Sequence, residues 1–82
     1  MIPELYQRVA LRVDLPEHRL RRGDVAVLVD CVTHPGGGAP GYILEVFNAI
    51  GESIAVVAVP AEAIESLRAD EVIAVRPLAE VA

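Results

Sequence analysis

Eighty-two residues carrying a net charge of −5, with seven arginines and no lysine, describe one small acidic domain spanning residues 1–82. That balance argues against a sequence-independent grip on nucleic acid, which needs clustered cations to displace counterions from phosphates. The single cysteine, Cys31, excludes an intramolecular disulfide; small secreted domains ordinarily carry several, so the expected location is the cytoplasm.

Apolar residues make up 54% of the chain, a high share for a domain with so much surface per residue. Some of that apolar surface is expected to lie outside, covered by a second copy or by one protein partner. Met1–Leu5 shows neither a basic stretch nor an apolar run of the signal-peptide kind. The longest apolar run, Ile54–Pro60, is far shorter than the roughly 20 residues that a membrane helix needs. No membrane association is expected.

Val9, Leu11 and Val13 alternate with Arg8, Ala10 and Arg12, which predicts a half-buried strand. Asp14-Leu15-Pro16 stops it, and Glu17–Asp24 reads as a charged loop closed by a Gly-Asp turn. Val25–Val32 is a second strand, apolar on both faces apart from Asp30. Thr33–Gly41, rich in glycine and proline, connects it to a third strand in which Tyr42, Leu44 and Val46 face inward. Asn48–Glu52, with Gly51, reads as a hairpin turn leading to a fourth strand, Ser53–Val59. Pro60 is suited to open a helix, and Ile64 and Leu67 share a face, which predicts a short helix over Ala61–Arg68. Val72–Val75 is the expected fifth strand. The expected core is Val9, Leu11, Val13, Val27, Val29, Leu44, Val46, Ile54, Val56 and Ile64. Five short strands in so few residues predict a mainly β fold, a small five-stranded SH3-like barrel with one short helical segment near the C-terminus.

Four segments carry a family likeness: Leu15-Pro16, Gly23–Asp30, Tyr42–Phe47 and Gly51–Val57. They resemble an uncharacterised bacterial domain-of-unknown-function family of small SH3-like barrels, with LP…GDxGxVV, YxVEF and GxTIAxV signatures. The likeness runs over residues 9–67. It implies a barrel and a non-enzymatic module, with no catalytic residues to carry over; some members are encoded beside other small proteins, in the manner of toxin–antitoxin or immunity pairs. This chain departs from the pattern at Ala26, Val27, Ile43 and Ala58, and each departure makes a strand surface more apolar.

The chemistry-bearing residues are sparse. Cys31 and His34, even joined by His18, fall short of the four ligands of a structural zinc site, and no metal is expected. Cys31 and His34 also start on opposite strand faces, which favours a packed, inert thiol over a nucleophile and its base. Gly36-Gly37-Gly38 leads into a strand rather than a helix, so no nucleotide or other cofactor is expected. Glu62, Glu65, Asp70 and Glu71 read as a solvated run of carboxylates. Arg19, Arg21 and Arg22 form a candidate partner-docking loop, weighed against a solvated loop paired with Glu17 and Asp24.

The leading expectation is a non-catalytic interaction module, a homo-oligomer (dimer favoured) or a binder of one protein partner. Its candidate interface is Ile43, Phe47, Ala55 and Val57. The alternatives are a nucleic-acid-binding barrel using the arginine loop, for which only Tyr6, Tyr42 and Phe47 offer stacking surfaces, and an accessory subunit of an enzyme.

Overall fold

The computed structural model describes residues 4–33 and 40–78. Five antiparallel strands form one sheet: β1 (Arg8–Leu11), β2 (Val25–Val32), β3 (Gly41–Phe47), β4 (Ser53–Pro60) and β5 (Ile64–Ser66). Their order across the sheet is β4-β3-β2-β1-β5. Three sequential pairings run from β1 to β4, and β5 then returns to β1. The two outermost strands, β4 and β5, are not bonded to each other, so the sheet does not close.

Register decides which side chains face the core. Val9 lies opposite Ala26, Leu28 opposite Leu44, and Leu44 opposite Val57. Residues directly opposite each other share a face, so these pairs commit one face of four strands to the interior. Val9, Leu28 and Leu44 are the largest side chains fully shielded from solvent. Burying one such aliphatic side chain contributes about 1.5–3 kcal/mol.

The predicted alternation on β3 holds: Tyr42, Leu44 and Val46 are buried. Val9, Leu11 and Ile64 also take their expected core places. On β2 and β4, both faces are apolar and alternation cannot choose between them. Val27 and Val29 are only half-buried, and Ala26 and Leu28 fill the core instead. Ile54 and Val56 are exposed, while Val57 and Val59 point inward. Val13 lies beyond the end of β1 and is exposed.

The predicted helix over Ala61–Arg68 is absent. A 3₁₀ turn, Ala61–Ala63, is followed at once by β5. Leu11 pairs with Ile64 and Val9 with Ser66, so cross-strand bonding overrides the helical spacing of Ile64 and Leu67. Val72–Val75, the expected fifth strand, belongs to no strand. A second 3₁₀ turn, Pro16–His18, sits inside the charged loop, where Leu15 and Leu20 bridge. Leu20 is buried, a core residue hidden among arginines.

The β3–β4 hairpin follows the predicted turn. Asn48 Oδ1 accepts from the backbone N–H of Ile50 at 3.1 Å and of Glu52 at 2.9 Å. Gly51 occupies the left-handed region at φ 87°, which a residue with a Cβ adopts only at a cost. No described helix is long and apolar enough to cross a membrane.

Candidate interaction surface

The hairpin that β3 and β4 form carries the most exposed apolar side chains of the sheet. Phe47 ends β3 facing outward, Ile50 sits 81% exposed on the turn, and Val56 is 61% exposed on β4. Ile54 joins them in a bulge where Ala55 pairs with Val46 and Ser53 with Phe47. Ile43, on the same outward side of β3, is half-buried opposite Ala58.

Two of the four expected interface residues, Ile43 and Phe47, therefore project to the outer side. Ala55 is partly buried and packs against the core. Val57 must be withdrawn, because it is 3% exposed. Val46 facing inward puts its partner Ala55 inward too, and Val57 follows two residues on. The residues missed were Ile54, Val56 and Ile50; the inward direction of Val46, carried across the hairpin, is the signal that points to the first two.

A cleft of about 770 Å³ opens beside this hairpin. Pairing between β2 and β3 begins at Val27 with Glu45, so the start of β2 and the end of β3 splay apart. Val25, Phe47 and Ile54 line the cleft from the sheet, Ile50 from the β3–β4 turn, and Ile73 and Val75 from the chain after β5. That returning chain is held by Arg76, whose Nε donates to Asp24 Oδ1 at 3.0 Å and whose Nη2 reaches Asp24 Oδ2 and, at 3.0 Å, the carbonyl of Arg19. The Arg76 and Asp24 side chains are only 24% and 19% exposed, which reduces screening by solvent.

The arginine loop is organised through its backbone. Asp24 accepts from the N–H of Arg21 at 2.7 Å, and Asp14 accepts from that of Arg22 at 2.8 Å. Arg19 caps the 3₁₀ turn with a left-handed φ of 59°. Arg76 thus converges on a loop that already holds Arg19, Arg21 and Arg22. Among the aromatic residues, Tyr42 is buried, leaving Tyr6 and Phe47 exposed.

Cys31 is exposed rather than packed, because it lies near the end of β2, where Asp30 Oδ1 accepts its N–H at 2.8 Å. His34 and Gly36-Gly37-Gly38 lie outside the described residues. Among the described residues, no group of three or more His, Cys, Asp or Glu side chains is placed to hold a metal ion. The carboxylates after β4 serve local pairs: Glu65 with Arg12 at 3.6 Å and Asp70 with Arg68 at 3.1 Å. Glu71 accepts from the N–H of Arg68 at 2.6 Å.

These features define a mainly β domain, built on one open antiparallel sheet with an apolar hairpin at its margin. The chain belongs to the DUF4926 family, a domain of unknown function, whose model matches residues 5–66. No curated protein and no solved structure matches it.

Proposed function

We propose that the domain is a non-catalytic protein-interaction module that presents its β3–β4 hairpin to another protein chain. The observation that carries this reading is the cluster of Phe47, Ile50, Ile54 and Val56, exposed together on one hairpin. Contiguous exposed apolar residues on a small domain mark docking sites more often than scattered ones do. The reading includes an opened SH3-like barrel as the fold, supported by the three successive hairpin pairings and the return of β5 to β1 through a 3₁₀ turn. It also includes a reducing, cytoplasmic setting, supported by the lone Cys31.

Replacing Ile50 with a photo-crosslinking amino acid in the living host tests the reading. A discrete protein adduct at that position, lacking when the crosslinker replaces exposed Glu17, is the expected result. The absence of any protein adduct both at Ile50 and, in a second variant, at Val56 would overturn it.

A further inference from the structure

Of the two outermost strands among the described residues, β4 has the less protected edge. An edge strand presents unpaired N–H and C=O groups to any extended segment, and proteins usually guard it with short length, charge, proline or a bulge. Among the described residues, β4 has a strand on one side only. Ser53–Pro60 contains no charged residue, its proline stands at the very end, and its bulge at Ile54 leaves Ala55–Val59 in regular pairing.

We infer that this edge pairs antiparallel with the same edge of a second copy, joining two sheets into one. This rests on the reading of the domain as an interaction module and names its partner. Charge selects the place, and the self-complementary register selects the partner. Two copies that each carry −5 repel, and an uncharged strand lets their backbones meet without setting like charges against each other. Symmetry fits as well. A two-fold axis normal to the sheet and passing near Val57 places Ala55 against Val59, and Val56 against Ala58, with every residue keeping its face. The inner faces then run on from copy to copy, and the exposed Val56 gains an apolar cross-strand neighbour. The regular run spans only about 17 Å, so the contact strip is small and the dimer weak, with a dissociation constant on the order of micromolar or above.

Sedimentation equilibrium of the full chain, from about 10 to 500 μM, tests the inference in the range expected of so small an interface. The expected mass rises with concentration from 8.8 kDa toward twice that value. Backbone amides of Ala55–Val59 that point away from β3 should exchange more slowly at the higher concentration. Val56→Lys should weaken the dimer by about tenfold or more, since a lysine on each copy guards the edge. The monomer tolerates this change, because residue 56 is exposed and lies opposite Glu45. Val72→Lys, at a residue 91% exposed on the returning chain, should leave the dimer unchanged.

A mass fixed at that of the monomer at every concentration overturns the inference. So does a dimer that Val56→Lys leaves intact. Either result, with a crosslinked foreign protein still captured at Ile50, leaves the interaction-module reading standing and removes only the second copy as its partner.

Discussion

β4 and β5 bound the same sheet, yet they are protected in opposite ways. β5 is three residues long, carries Glu65 paired with Arg12, and is followed by chain that turns back toward β2. β4 is eight residues long and uncharged, and it displays Ile54 and Val56 to solvent. β5 turns its one isoleucine into the core, whereas β4 leaves Ile54 outside it. Edge behaviour therefore follows length, charge and register rather than hydrophobicity alone. That contrast is why the proposed contact falls on one side of the sheet.

Substituting the isoleucine on each edge sharpens this difference most. Ile64→Ala on β5 removes a buried side chain and is expected to cost about 2–5 kcal/mol, read as a lower midpoint in urea denaturation. Ile54→Ala on β4 should cost less than about 1 kcal/mol by the same measurement, because its side chain is already wetted. Equal losses at the two sites would break the comparison.

Arg76→Ala releases the chain that returns after β5. The expected loss is about 1–2 kcal/mol, above a surface ion pair and below a fully buried one. Trypsin should then cut more readily after exposed Arg68 while the sheet remains folded. Unchanged cleavage would mean that Arg76 does not hold this segment.

Gly51→Ala tests how firmly the β3–β4 turn fixes the open edge. An added Cβ would meet nothing within 4 Å, so only the backbone penalty of φ 87° remains. That penalty is about 1 kcal/mol, read as a fall in Tm.

The smallest effect is expected at the charged pair on the guarded edge. Arg12 and Glu65 are 56% and 39% exposed, so Glu65→Ala should change stability by less than about 0.5 kcal/mol. A larger loss in urea denaturation would show that the pair holds β5 in place, beyond keeping other strands away.

Much of the architecture was legible residue by residue. Alternation placed β3 residue by residue and β1 as far as Leu11, though Ala10 is buried as well, and Asn48–Glu52 announced its hairpin through Gly51. The site was half legible. Ile43 and Phe47 follow from the inward face of β3, whereas the two equally apolar faces of β4 leave the direction of Val57 open to local pattern. Leu20 was missed because it lies between charged neighbours, and only its bridge with Leu15 and its burial show what it does.

Composition and local pattern by themselves determined that this chain is a mainly β domain with more apolar surface than its core can absorb. Both properties follow from residue type and nearest-neighbour spacing, which need no long-range contact. Only the tertiary structure decided the rest. Pairing of β5 with β1 turned a helix-like segment into a strand, because bonds to Val9 and Leu11 outweighed local spacing. Register between β3 and β4 chose Val57 for the core and Val56 for the surface, since residues opposite each other must share a face.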